Sequence, residues 1–165
     1  MKSQTPNVRT LTHGSMMAAL VFVATYFFKL PVSVTQGYIH LGDGFILLGA
    51  ALLGTPAIAA AAVGSMLADV LGGYTLYVLP TFLIKGLVAL IAVWAFAKRR
   101  PLWLTILALM ISELAMVAGY FVVEWLVLGY GWAAAAGALI PNLVQGLSGV
   151  IIAVVLLPLL RRIRH

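Results

Sequence analysis

Long apolar stretches, separated by short polar or basic breaks, fill the chain from residue 11 to residue 160. Of the 165 residues, 64% are hydrophobic and 8% are charged, whereas a soluble domain carries about 25% charged residues. A soluble globule of this composition would lack the polar surface that it needs to face water. The chain is therefore predicted to be an integral membrane protein with one domain, residues 1–165, and no separate soluble catalytic domain.

Six helices are predicted from the apolar stretches, since a spanning helix needs roughly 20 apolar residues. Proline, glycine and basic residues mark the breaks between them. The predicted helices are residues 11–28, 41–53, 57–71, 80–97, 102–128 and 133–160, with a polar loop over residues 32–40. The second and third helices are short, so they form either two spans buried by their neighbours or a re-entrant hairpin.

The cations predict the orientation of this six-helix, all-α bundle. With six spans, most of the basic residues fall on one side of the membrane: Lys2, Arg9, Lys98, Arg99, Arg100, Arg161, Arg162 and Arg164. The positive-inside rule puts that side, and with it both termini, in the cytoplasm. Because membrane topology accounts for the net charge of +6, no nucleic-acid partner is expected.

Polar side chains inside apolar stretches are the candidate functional residues, because ionisable groups at membrane depth are costly and usually functional. The carboxylates of the chain are Asp43, Asp69, Glu113 and Glu124. Glu113, Tyr120 and Glu124 are spaced by seven and four residues, which puts them on one face of the fifth helix. Asn142 and Gln145 share a face of the sixth helix for the same reason.

In the predicted topology these side chains gather in the outer half of the bundle, which indicates a pocket that opens outward. Tyrosine and tryptophan rings there could stack on an aromatic heterocycle, and the polar groups could bond its nitrogens and hydroxyls. The predicted substrate-binding residues are Tyr38, His40, Tyr77, Lys85, Glu113, Tyr120, Glu124, Trp132, Asn142 and Gln145.

The acidic residues also have structural explanations. Asp43 follows a glycine near a helix start and is expected to be an N-terminal cap. Asp69 could form an ion pair with Lys85. Glu113 lies deeper than Glu124, so a structural role suits it better, and Glu124 has the fewest structural explanations of the four.

Structural alternatives exist for the other polar and aromatic residues as well. Asn142 and Gln145 could form hydrogen bonds between helices. Tyr74, Tyr77 and Trp132 could belong to an interfacial aromatic belt.

The sequence lacks the motifs of several common kinds of catalytic and metal-binding site. The sequence has no cysteine, which excludes disulfides and cysteine-ligated metals. It has neither a G-x-x-x-x-G-K-[ST] phosphate loop nor an H-E-x-x-H or G-x-S-x-G motif. We therefore expect no catalysis, cofactor or metal in this chain, and any ATP hydrolysis is expected on partner subunits.

A series of short segments resembles one transporter family. In order they are YIHLGD at 38–43, LGAALLG at 48–54, GSMLAD at 64–69, PTFLIKGL at 80–87, ELAMVAGYF at 113–121 followed by Glu124, and PNLVQG at 141–146. This series resembles the substrate-binding S components of energy-coupling-factor (ECF) vitamin transporters. It is most similar to the hydroxymethylpyrimidine or pyridoxine group of the riboflavin-type superfamily, over nearly the whole chain.

The resemblance implies a multi-pass protein of a prokaryotic cell membrane that binds a vitamin on the extracellular side. It implies partners, a transmembrane coupling protein and two ATPases, onto which the first helix docks through an alanine-x-x-x-alanine motif. The nearest matches to that motif are the pairs Gly14/Ala18 and Ser15/Ala19.

The expected function is capture of pyridoxine, a related B6 vitamer or hydroxymethylpyrimidine for ATP-driven uptake, with the larger riboflavin less favoured. The alternatives are a stand-alone proton-coupled carrier or channel and, less favoured, an intramembrane enzyme.

Overall fold

The computed structural model describes residues 7–35, 37–97 and 101–163. These ranges form an all-α bundle of six helices, as predicted: α1 (Val8–Phe27), α2 (Gly42–Leu53), α3 (Pro56–Gly72), α4 (Val78–Phe96), α5 (Leu102–Val122) and α6 (Trp132–Ile163). A 3-10 turn, Thr75–Tyr77, leads into α4, and a π-helical turn, Val123–Val127, continues α5. Some of the cations from which the orientation was predicted lie outside the described residues: Lys2, Lys98, Arg99, Arg100 and Arg164.

Four of the helical segments are long and apolar enough to cross a membrane: Val8–Phe27, Thr75–Phe96, Leu102–Val127 and Trp132–Leu156. The other two described helices, α2 and α3, are shorter and also apolar. The predicted boundaries agree with the observed ones to within a few residues, because prolines, glycines and basic residues end the helices where the sequence indicated.

A β-hairpin replaces the loop that was predicted between α1 and α2. Strand β1 (Lys29–Val32) pairs antiparallel with strand β2 (Gly37–His40), and Lys29 lies opposite His40. Each strand has four residues, which is too short for hydrophobic alternation to reveal in the sequence. The aromatic and β-branched residues of β2 are nevertheless typical of strands.

Helix α2 is a half-length helix that begins inside the bundle. Its 12 residues rise about 18 Å, less than the ~30 Å of a bilayer core. Asp43 in its first turn contacts Lys85, about two turns into α4, and packs against Gly149, midway along α6. Strand β2, which directly precedes α2, therefore occupies the part of the bundle's length that α2 does not reach. The hairpin lies at one end of the bundle, here called the hairpin end.

Close contact between α1 and α3 depends on small residues. A Cβ atom on Gly64 of α3 would lie 2.5 Å from the carbonyl oxygen of Ala18, so the two backbones meet at this glycine. Of the predicted docking residues, Ser15 and Ala19 are exposed on α1, whereas Gly14 and Ala18 are partly buried.

Candidate ligand-binding site

A cavity opens at the hairpin end, between the hairpin and helices α3 to α6. It encloses about 430 Å³, its open mouth included. Seven of the predicted substrate-binding residues line it: Tyr38, His40, Tyr77, Tyr120, Glu124, Asn142 and Gln145. Tyr120 and Glu124 therefore meet Asn142 and Gln145 at one cavity, whereas Glu113, predicted on the same face of α5, does not line it.

Glu124 is held in the cavity wall by the π-helical turn that ends α5. Short π-helical turns within α-helices are frequent at functional sites. Glu124, in this turn, is 3% exposed. The Tyr77 hydroxyl lies 3.1 Å from Glu124 Oε1 and 2.8 Å from the Thr35 carbonyl oxygen. Because a phenol has one proton for these two acceptors, Glu124 keeps unused hydrogen-bonding capacity.

A second carboxylate, Asp69, lines the same cavity. The Tyr38 hydroxyl donates a 2.6 Å hydrogen bond to Asp69 Oδ1, and Thr81 lies beside the carboxylate. Burial, reinforced by the charge of Asp69, raises the pKa of Tyr38, so the phenol keeps the proton that it donates. From the sequence, Asp69 was predicted as a partner of Lys85 and was not among the predicted substrate-binding residues. Its position at the same end of the bundle as residues 38 and 77 was the signal that it belongs to the site.

His40 connects the hairpin to the floor of the cavity. Its backbone N–H donates to Gln145 Oε1 at 2.9 Å, and its ring Nδ1 accepts from the Gly42 N–H at 3.0 Å. The proton of the neutral ring is therefore on Nε2. Burial, followed by the nearby charge of Lys85, lowers the pKa of His40 from 6.5 to about 3, so the ring is neutral at physiological pH.

Lys85 lies below the cavity and forms an ion pair with Asp43. Lys85 Nζ is 2.7 Å from Asp43 Oδ1 and 2.9 Å from Oδ2, and neither side chain is exposed. Gln145 Nε2 donates to Asp43 Oδ2 at 2.6 Å, and Lys85 Nζ also contacts the Met116 sulfur at 2.9 Å. Gln145 therefore joins the cavity wall to the ion pair.

These contacts correct two predictions about the carboxylates. Lys85 pairs with Asp43 and not with Asp69, because α2 begins at the depth of Lys85 whereas Asp69 lies at the hairpin end of α3. Asp43 is not an N-terminal cap, since Leu41 occupies the cap position of α2 and no side chain caps that helix end.

Three predicted substrate-binding residues lie outside the cavity. Lys85 is below it, as described. Trp132 is 60% exposed and packs edge-to-face against Phe121 and Trp125, with ring centroids 5.1 and 5.5 Å apart. This aromatic cluster matches the interfacial-belt alternative. Glu113 is buried against Gly146.

Lys29 fixes the hairpin to its surroundings. Its Nζ lies 4.6 Å from the ring centroid of Tyr26, 5.6 Å from that of Tyr38 and 5.2 Å from that of Tyr74. These distances are typical of cation–π interactions. The three rings belong to α1, β2 and the segment before α4, so one ammonium group holds three elements together beside the cavity.

The sequence and the fold resemble known transporter subunits. The family described as ECF-type riboflavin transporter, S component, matches residues 5–162. The thiamine precursor transporter HmpT of Lactococcus lactis subsp. cremoris is 34% identical over 160 residues, 94% of this chain and 90% of the relative. An uncharacterized protein of Pyrococcus woesei is 36% identical over 134 residues, 80% of this chain and 88% of the relative.

A solved structure of the S component of a bacterial ECF transporter has the same fold. Its TM-score is 0.72 at 23% sequence identity, and the match covers 95% of this chain and 96% of that one. S components are not enzymes; they bind a small vitamin and work with an energy-coupling module. The chain therefore belongs to the S components of ECF transporters, and it is a multi-pass protein of the cell membrane that serves vitamin uptake.

Proposed function

We propose that this protein captures hydroxymethylpyrimidine, a thiamine precursor, in the cavity at the hairpin end. The observation that carries the proposal is one small cavity in which three tyrosines meet two carboxylates and two amides. The volume of about 430 Å³ includes the open mouth of the cavity, so the enclosed space is smaller than that. A single aromatic ring suits this volume better than the three fused rings of riboflavin. The name of the Lactococcus relative supports the same ligand.

The lining residues divide into rings and hydrogen-bonding groups. Tyr77 and Tyr120 have ring centroids 6.3 Å apart and provide the aromatic contact for a heterocycle. Glu124 accepts hydrogen bonds from the ligand, and Asn142 offers both a donor and an acceptor. Gln145 is held by Asp43 and His40, so its role is to position the cavity floor.

The hairpin end is proposed to face outward, with both termini in the cytoplasm. Helix α1 leads into the hairpin, and α6 contributes Ala138 and Asn142 to the cavity before it runs to the opposite end. Both ends of the described chain therefore lie away from the cavity. The basic residues near the termini support a cytoplasmic location for that end.

The energising partner is proposed to be a transmembrane coupling protein with two ATPases. Ser15 and Ala19 are exposed on α1, four residues apart, which allows close approach of another helix. This pair suits docking better than Gly14 and Ala18, because Ala18 lies towards α3.

Titration calorimetry of the purified protein in detergent tests the proposed ligand. Hydroxymethylpyrimidine is expected to bind at least tenfold more tightly than pyridoxine or riboflavin, a difference of about 1.4 kcal/mol or more. Asn142→Ala is expected to weaken that binding about tenfold, because the amide contacts the ligand. Tighter binding of pyridoxine would identify the B6 alternative, and tighter binding of riboflavin would overturn the assignment by cavity size.

A further inference from the structure

Two buried carboxylate oxygens in the cavity have no hydrogen-bond partner in the described part of the chain. They are Asp69 Oδ2 and Glu124 Oε2. Asp69 is 1% exposed and Glu124 is 3% exposed, and both residues line the cavity. Because buried acceptors in proteins are almost always satisfied, each oxygen is a place where a ligand hydrogen can bind.

The Tyr38 and Tyr77 hydroxyls, which lie next to these carboxylates, already have acceptors. The Tyr38 hydroxyl donates to the other oxygen of Asp69. The Tyr77 hydroxyl is shared between Glu124 Oε1 and the Thr35 carbonyl oxygen. Thr81, beside Asp69, shares a 3.0 Å hydrogen bond with the Tyr120 hydroxyl. No described side chain hydrogen-bonds Asp69 Oδ2 or Glu124 Oε2, so both oxygens are free to accept a hydrogen from a ligand.

The charge of the cavity also favours a ligand that donates hydrogen bonds. Neither lysine nor arginine is among its described lining residues. Lys85 is bound to Asp43 below the cavity, and Lys29 lies among tyrosine rings. His40, which does line the cavity, is neutral. Two acids without a lining cation repel an anionic ligand and attract hydrogen-bond donors.

We propose that Asp69 and Glu124 together determine specificity, by selecting a ring with two separate N–H or O–H donor groups and rejecting phosphorylated or carboxylated ligands. Asp69 comes from α3 and Glu124 from the end of α5, so the two donors must lie at different places on the ring. This inference rests on the proposed function and identifies the chemical features of the ligand that the site reads.

Hydroxymethylpyrimidine has the required groups. Its exocyclic amine donates and does not accept, because the nitrogen lone pair is delocalised into the ring, and its hydroxymethyl group provides a second donor. A phosphate ester replaces that hydroxyl with an anion, which both carboxylates repel. The unmodified alcohol is therefore the expected ligand, and its phosphate ester is not.

Binding titrations of the wild-type protein and two isosteric variants test this inference. The wild-type protein is expected to bind hydroxymethylpyrimidine at least 100-fold more tightly than its phosphate ester. Asp69→Asn and Glu124→Gln remove one charge each and keep the size of the side chain. Each variant is expected to bind the alcohol tenfold or more less tightly than the wild type. Each is also expected to show a smaller ratio between its affinities for the alcohol and the ester.

Glu113→Gln is the matched control, because it makes the same acid-to-amide change on α5, outside the cavity. Its affinity for hydroxymethylpyrimidine is expected to stay within twofold of the wild-type value. Thermal unfolding shows whether each variant is folded. If a variant does not fold, the affinities of the wild-type protein for the alcohol and the ester still test whether the cavity rejects an anionic ligand.

The outcomes separate this inference from the proposed function. If the alcohol binds but both variants keep its affinity, or the ester binds equally well, the inference is overturned and the proposed function stands. If a different uncharged or cationic vitamin binds and depends on Asp69 and Glu124, the inference stands and the proposed ligand is wrong. Binding of an anionic vitamin, or of no vitamin at all, overturns both.

Discussion

Lys85 and Asp43 form an ion pair without solvent exposure near the middle of the bundle. Gln145 bonds Asp43 and the backbone of His40, so the pair supports the cavity floor as well as the junction of α2 and α4. Removal of one member of a buried pair leaves an uncompensated charge, which is more harmful than removal of both.

Lys85→Met is therefore expected to lower the free energy of unfolding by about 3–5 kcal/mol, because Asp43 would remain charged and unpaired. The double variant Lys85→Met/Asp43→Asn is expected to recover most of that loss, since no isolated charge remains. Thermal unfolding in detergent measures both. A single variant as stable as the wild type, or a double variant less stable than Lys85→Met, would contradict the structural role given to the pair.

Helical spacing predicted that Tyr120 and Glu124 share a face at the end of α5 and that Asn142 and Gln145 share a face of α6, because the period of a helix fixes its faces. Spacing alone did not predict how far along α5 the cavity extends, since Glu113 of the same face does not line it. It was not enough to predict the partner of Lys85, since that depends on the depth at which α2 begins. The role of Asp69 was missed for a related reason. Its bonded partner, Tyr38, is carried by a hairpin that the sequence did not reveal.

The elements of this fold differ in how strongly their sequences indicate them. The helices have long apolar stretches between proline, glycine and basic breaks, so their number and bounds could be predicted. The hairpin consists of two four-residue strands, and α2 completes only half a span. Their arrangement is set by tertiary contacts, the Asp43–Lys85 pair and the rings around Lys29, which hydropathy does not encode.

The close contact of α1 with α3 predicts the effect of a substitution at Gly64. Gly64→Ala is expected to destabilise the protein, because the new Cβ would lie 2.5 Å from the Ala18 carbonyl oxygen, a backbone atom. Gly86→Ala in α4 is the matched control, since its Cβ would meet the Ala62 methyl group at an ordinary 3.6 Å. The control is expected to be neutral or stabilising by up to roughly 1 kcal/mol, the helix preference of alanine over glycine.

Unfolding temperatures of the two glycine variants, measured side by side in the same detergent, check this prediction. Gly64→Ala should unfold several degrees below the wild type, and Gly86→Ala should not. Equal unfolding temperatures for the two variants would show that α1 and α3 do not approach as closely as described.

At the scale of the whole molecule, polar and apolar groups are distributed unevenly along the bundle. One end carries the hairpin, the cavity and its carboxylates, and the opposite end carries the first and last described residues. The described residues that face outward are mostly leucine, valine and other large apolar side chains, as a lipid environment requires. This arrangement suits a subunit that takes up its ligand at one end and depends on a partner for energy.

Uptake of radiolabelled hydroxymethylpyrimidine into proteoliposomes tests the central claim most directly. The protein co-reconstituted with a coupling protein and two ATPases is expected to concentrate the compound only when ATP is enclosed on the ATPase side. The protein alone is expected to bind the compound without accumulating it. Accumulation by the protein alone in response to a proton gradient would contradict the claim and identify a stand-alone carrier.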